Sequence, residues 1–229
     1  MSNSYRKFIG RLTSYREMMN LSQKDAGCLV GKTQSQQSKM ERGETIVSYE
    51  ILQHMTEAGW DIDFLMTGKK RIHIESSLSG YLFENMGDYW SNIKEALFWI
   101  IGVELDKTGN LQDEETKLEF KLMKELLDGT KSDSVIHNIR NIMGISQFAM
   151  ADRLGVNIKK YRELEKGGTE PDAELLILIY ELSGCRPSTF FRQNDVEEYV
   201  LDCLWNRLNV ERQKEAREFI DYVIKIYKG

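Results

Sequence analysis

The chain has 229 residues, 41% of them hydrophobic and 29% charged, with 31 Lys/Arg against 36 Asp/Glu and a formal net charge of −5. That length holds two small domains with real cores; the longest apolar runs, 96–103 and 175–180, fall far short of the roughly 20 residues of a membrane helix, and no basic-then-apolar leader opens the chain, so a soluble cytoplasmic protein with no membrane partner is expected. Cys28, Cys185 and Cys203 lack Cys-x-x-Cys spacing, and His54, His73 and His137 form no ligand cluster, which points to a reducing compartment and to neither a structural metal nor a cofactor.

With two prolines, Pro171 and Pro187, at loop positions and helical periodicity elsewhere, the chain reads as all-α. In chain order, Ser22 is an N-cap with Asp25 three residues on, opening a short helix through Gly27 to Val30. Gly31 supplies a left-handed exit. Thr33, reinforced by Gln36, caps a second short helix that stops before Gly43. The connecting segment sets Tyr89, Trp90, Ile93, Ala96, Leu97, Ile100 and Ile101 at three- and four-residue steps, one apolar helix face, followed by a helix from about Glu115 to Asp128 closed by Gly129. The first design then recurs. Residues 140–167 align with 16–43 without a gap at a constant offset of 124, matching Arg16/Arg140, Met19/Met143, Ser22/Ser146, Gln23/Gln147, Gly31/Gly155, Glu41/Glu165 and Gly43/Gly167. Substitutions keep chemical type, as in Leu21/Ile145, Val30/Leu154, Thr33/Asn157 and Arg42/Lys166. Gly27 and Ala151 stand where two steeply crossing helices leave no room for a larger side chain. The tail repeats the helical pattern with Ala216, Phe219, Ile220, Val223, Ile224 and Tyr227.

Two short helices joined by a tight turn, repeated, with Ser38-Lys39-Met40-Glu41-Arg42-Gly43 closing the first, resemble the Cro/repressor (XRE-type) family of helix-turn-helix domains. Ser48 to Leu52 looks like that family's fourth helix and Gly59 to Gly68 its fifth helix and exit; Asp172 to Ser183 and Ser188 to Phe191 repeat them. The resemblance covers about 120 of the 229 residues. It implies two tandem five-helix lambda-repressor-like DNA-binding domains, each followed by a helical hairpin or extension. The corresponding segments are residues 1–70 (first domain), 71–130 (acidic connector or dimerisation segment), 131–192 (second domain) and 193–229 (C-terminal hairpin).

The same resemblance assigns roles. Arg16 with Glu41, and Arg140 with Glu165, each 25 residues apart, match a largely buried structural ion pair. An α-helix fits the DNA major groove and side chains at its start reach base edges, so Thr33, Gln34, Ser35, Gln36, Ser38 and Lys39 are the readers of the first domain, with Gln34 foremost. Gln23 is implied to contact phosphate and steady Gln34, and Lys32, Lys39 and Arg42 are further phosphate candidates. Two positions depart from the family: Lys32 and Gln37 stand where aliphatic residues pack inward, so either the first core is lean or Gln37 turns outward. In the second domain Val156 and Tyr161 fill those places, Ile158 replaces Gln34, and Gln147, Asn157, Ile158, Lys159, Lys160 and Arg162 form the candidate contact set.

Charge is unevenly spread: residues 1–71 carry 11 Lys/Arg against 8 Asp/Glu, whereas 72–130 carry 5 against 12. The positive excess thus sits where a phosphate backbone would dock. Ala26 to Thr33 satisfies a relaxed phosphate-loop pattern, but it begins inside a capped helix, and no Gly-x-Ser-x-Gly, His-Glu-x-x-His or paired Cys/His arrangement supports enzyme activity. The expected function is a sequence-specific, double-stranded-DNA-binding transcriptional regulator of bacterial or phage type acting as a repressor, a homodimer or a monomer whose two modules mimic one. The alternative is a protein-interaction component, such as an antitoxin, that binds a protein partner on its acidic connector or tail.

Overall fold

The computed structural model describes residues 2–72, 74–75, 77–128, 134–192 and 195–228; His73 and the helix-closing Gly129 lie outside them. Among the described residues the chain forms fourteen α-helices and no strand. The first repeated stretch holds α1 (Asn3–Met18), α2 (Gln23–Leu29), α3 (Gln34–Glu41), α4 (Tyr49–Glu57) and α5 (Ile62–Thr67). The connector holds α6 (Leu78–Met86), α7 (Lys94–Lys107) and α8 (Glu114–Leu127); the second stretch holds α9 (Val135–Ile142), α10 (Gln147–Arg153), α11 (Ile158–Glu165) and α12 (Ala173–Ser183); the tail holds α13 (Val196–Asn206) and α14 (Val210–Lys228).

Local chemistry sets the ends of the short helices. Ser22 Oγ accepts from the Asp25 N–H while the Asp25 carboxylate accepts from the Ser22 N–H, and Thr33 and Gln36 make the same reciprocal pair at 3.3 and 2.9 Å. Ser146 and Asn157 cap α10 and α11 in the same register. Gly31 and Gly155 leave the preceding helices at φ +66° and +65°, the left-handed conformation in which glycine has no Cβ to strain. At Gly27 a Cβ would stand 2.8 Å from the Lys32 carbonyl oxygen. Its counterpart Ala151 carries that methyl, and the turn runs slightly wider there: Lys32 N–H reaches Gly27 O at 2.8 Å, Val156 N–H reaches Ala151 O at 3.0 Å. The counterpart of α5 is a 3-10 turn, Pro187–Phe191, with Pro187, Ser188 and Thr189 buried.

The chain divides into two compact units, Met1–Arg71 with Ser134–Phe191, and Ile72–Asp133 with Arg192–Gly229. In the first, α12 of the second stretch enters the core of the first: Ala173, Leu176 and Ile177 are buried among Tyr5, Phe8, Leu12, Leu52 and Met66, with Phe190 and Phe191 packed against them. Counterpart positions meet each other across this junction. The Ala173 N–H donates to Val47 O at 3.0 Å, and Ser188 donates through N–H and Oγ to the buried Asp63 carboxylate at 2.9 and 2.8 Å, each pair lying within two residues of the 124-residue offset. Tyr49 stacks on Phe191 and donates to Phe190 O at 2.5 Å.

In the second unit, connector and tail helices pack together. α13 lies against α8 and α6, and the buried Asp202 carboxylate accepts from Ser77 Oγ, Ser79 N–H and Ser79 Oγ at 2.8–2.9 Å. Gly102 of α7 yields to the Phe120 ring of α8, which stacks on Phe98. The apolar stripe read over 89–101 is not one helix face. Tyr89 and Trp90 lie in a 3-10 turn, Gly87–Asn92, after Gly87 (φ +55°) ends α6, and α7 begins only at Lys94, so Trp90, Leu97 and Ile101 are buried while Tyr89 and Ala96 are exposed.

Burial pushes the Asp63 carboxyl up, against the lowering pull of Ser188 and of Arg186 at 3.7 Å. Asp63→Asn keeps an acceptor for the Ser188 N–H without a buried charge and is expected to stay within about 1 kcal/mol of the parent, whereas Asp63→Ala leaves that N–H unpaired and costs about 1–3 kcal/mol. Urea unfolding of both variants checks this; equal losses would refute it.

Candidate functional site

The Glu41 carboxylate, its side chain 4% exposed, sits at the end of α3 and gathers donors from three helices. Arg16 of α1 reaches it through Nε at 2.7 Å and Nη2 at 3.2 Å, Gln23 of α2 at 2.9 Å and Gln37 of α3 at 2.8 Å. Arg16 also donates to Leu21 O at 2.7 Å, tying down the turn ahead of α2. The second copy is built alike: Glu165 accepts from Arg140 at 2.5 Å, Gln147 at 2.5 Å and the Tyr161 hydroxyl at 2.7 Å, while Arg140 donates to Ile145 O at 3.0 Å. Burial by itself would raise both carboxyls; the hydrogen bonds from Arg16, Gln37 and Gln23, and from Arg140, Tyr161 and Gln147, outweigh it and hold them below the usual carboxylate range.

This cluster decides the orientation of Gln37. The side chain is 0% exposed and turned inward, its amide nitrogen on Glu41 and its Oε1 without a hydrogen bond among the described residues. Tyr161 does the same work from the counterpart position. Lys32, the other departure, is half-buried and lies 3.7 Å from Glu50.

With Gln37 and Met40 inward, the outer face of α3 presents Gln34, Ser35 and Lys39, all exposed and without an in-chain hydrogen bond or ion pair among the described residues, and the half-buried Ser38. Thr33 and Gln36 are exposed but engaged in the cap. Arg42 is held by Glu44 at 2.6 Å and Ser38 at 2.5 Å. Gln23 commits its amide nitrogen to Glu41 rather than to Gln34. On α11, Lys159 and Lys160 are exposed, Ile158 is half-buried, the exposed Asn157 is the cap, and Arg162 donates to Gln147 Oε1 at 3.3 Å. One exposed residue that the sequence pattern did not single out is Phe148, 73% exposed on the first turn of α10, where the first copy has Lys24. Phe148 stands next to Ala149, Met150 and Ala151 in a helix that buries an apolar face, so the sequence alone does not separate it from the core and only its exposure reveals it.

The first unit carries 18 Lys/Arg against 15 Asp/Glu and the second 13 against 21, so the negative excess of the chain lies wholly in the second. A cleft of about 710 Å³ in that unit is lined by Trp90, Tyr199, Lys94, Arg192, Asp195 and Glu198. Its two cations already lie on the Trp90 and Tyr199 rings and Lys94 pairs with Glu197, so the cleft singles out no ligand charge. No described helix is long and apolar enough to cross a membrane. Comparisons of the chain with protein-family models, with curated proteins and with solved structures return no match.

Replacing Glu41 with alanine strands the Arg16 charge and is expected to cost about 3–5 kcal/mol. The stability from the two depressed carboxyls is complete above their ordinary pKa of about 4.3 and is lost as pH falls through their lower folded values. A Glu41→Gln variant therefore flattens the acid limb of the Tm–pH curve, and parallel curves for variant and parent would contradict the assignment.

Proposed function

We propose that the chain is a double-stranded-DNA-binding transcriptional regulator of the Cro/repressor type, reading the major groove with α3 and repressing by occupying a promoter. The observation that carries this reading is the outer face of α3: Gln34 and Ser35 exposed with uncommitted side chains, and Lys39 exposed within the field of Glu44, on a helix whose inner face is fixed by the Glu41 cluster. Glutamine pairs in bidentate fashion with adenine, and serine serves several bases. The net positive charge of this unit, within a chain that is acidic overall, suits a phosphate backbone.

The pairing of counterpart residues, Val47 with Ala173 and Asp63 with Ser188, supports a single chain in which the two copies are related as in an isologous dimer. Such a chain meets a two-part DNA site with unequal halves: α3 offers Gln34 to bases, whereas α11 offers Ile158 to a thymine methyl and Lys159, Lys160 and Arg162 to phosphates. The exposed Phe148 favours a second reading for the second copy, a protein-contact surface in an antitoxin-like component, because an aromatic ring stands where the first copy has a lysine.

Selection of bound sequences from random duplexes, with the parent, Gln34→Ala and the Lys159/Lys160/Arg162 triple alanine variant, tests the proposal. Gln34→Ala is expected to lose about 1–3 kcal/mol at one base position, and the triple variant to flatten the salt dependence by about one unit of slope for each phosphate no longer neutralised, evenly across sequences. A parent chain that selects no sequence at low salt would overturn the DNA reading; an unchanged salt slope in the triple variant with loss of protein partners in Phe148→Ala would assign the second copy to protein contact.

A further inference from the structure

In the second unit α7 and α14 lie side by side and antiparallel. Arg212, at the start of α14, is 3.6 Å from Glu104 near the end of α7, and Tyr227, at the end of α14, packs on Tyr89 just ahead of α7 with ring centroids 5.3 Å apart. The interior takes Leu97, Ile101 and Leu105 from α7 and Ala216, Ile220 and Ile224 from α14. At 100° per residue, Trp99 and Val103 fall on an outer stripe of α7, and Phe219, Tyr222 and Ile226 on a second stripe of α14 turned away from its buried one. For two antiparallel right-handed helices whose buried stripes face a common interior, these outer stripes open to the same side.

These five side chains are 43, 52, 50, 62 and 64% exposed. An aromatic side chain offers about 150–250 Å², so the face leaves on the order of 500 Å² of apolar surface, near the top of the range for the largest patch on a soluble monomer. Two such faces set together, with a polar rim and the half-buried Ile100 and Val223, reach the lower part of the roughly 1,200–2,000 Å² that a stable interface buries.

We infer that this face is the docking surface for a second copy of the chain, with α14 against α14 in antiparallel sense about an axis near Tyr222. Charge on the flank of the stripe fits that occupant. Glu218 and Lys225, both exposed, lie on either side of Tyr222, so antiparallel pairing sets Lys225 of one copy against Glu218 of the other, twice by symmetry. An anionic membrane surface is the poorer occupant because Glu211, Glu215 and Glu218 border the stripe beside Lys214 and Lys225, leaving no positive excess where a membrane-bound helix needs one. The dimer so formed carries two copies of the first unit, and the inference stands on the second unit alone, independent of what α3 reads.

Light scattering and sedimentation of the full chain at micromolar concentration test it. The parent is expected to have twice the chain mass, and Phe219→Glu/Ile226→Glu the mass of one chain with unchanged helical circular dichroism. Lys225→Glu and Glu218→Lys are each expected to raise the dissociation constant roughly two- to tenfold, and the swapped double variant to restore it, which a merely misfolded protein would not do. A monomeric parent, a dimer that survives Phe219→Glu/Ile226→Glu, or a swap that fails to restore association would overturn the assignment. Vesicle binding by a monomeric parent would reassign the face to lipid.

Discussion

A carboxylate buried at the end of α3 has to be satisfied on both oxygens, and in meeting that demand Glu41 fixes three helices relative to one another. Arg16 comes from α1, Gln23 from α2 and Gln37 from α3 itself, so the carboxylate joins the first helix to the pair that follows. An isolated buried charge costs several kcal/mol, and only a full set of donors offsets it. The arrangement is therefore demanding as to angle: if α3 rotated, it would strand the carboxylate. The outward direction of Gln34, Ser35 and Lys39 follows from this inward constraint, since residues on one helix cannot turn independently.

The second copy shows how much of that constraint tolerates a change of side chain. Gln37 and Tyr161 differ in size and chemistry, yet each places a donor on the same glutamate oxygen from the same position. Tyrosine fills the interior and satisfies the carboxylate at once; glutamine satisfies the carboxylate but leaves its own Oε1 without a hydrogen bond. The first copy thus keeps the geometry at the expense of one unpaired buried acceptor. Sequence comparison with the inward aliphatic pattern shows only that something polar stands at 37, because the position of the carboxylate that accepts it is a property of the folded chain.

The two units divide charge and apolar surface between them. The unit holding both repeated stretches has the positive excess, and the unit formed by connector and tail has the acidic excess together with the exposed aromatics of α14.

The helix ends and the paired ion clusters were legible in the sequence because their determinants are local or repeated: a Ser or Thr followed three residues on by an acceptor, a glycine at the exit, and Arg and Glu 25 residues apart in two registers. Such signals need no knowledge of distant contacts. What only the tertiary structure decided lies between residues far apart in the chain. The pairing of Asp63 with Ser188, the insertion of α12 into the core of the first stretch, the packing of α13 on α8, and the exposure of Phe148 and of the second stripe on α14 all depend on which surfaces come together. Hydrophobic periodicity identifies a face able to be buried, but it is non-directional and does not name its partner, and so the same pattern serves the interior at Ile220 and solvent at Phe219.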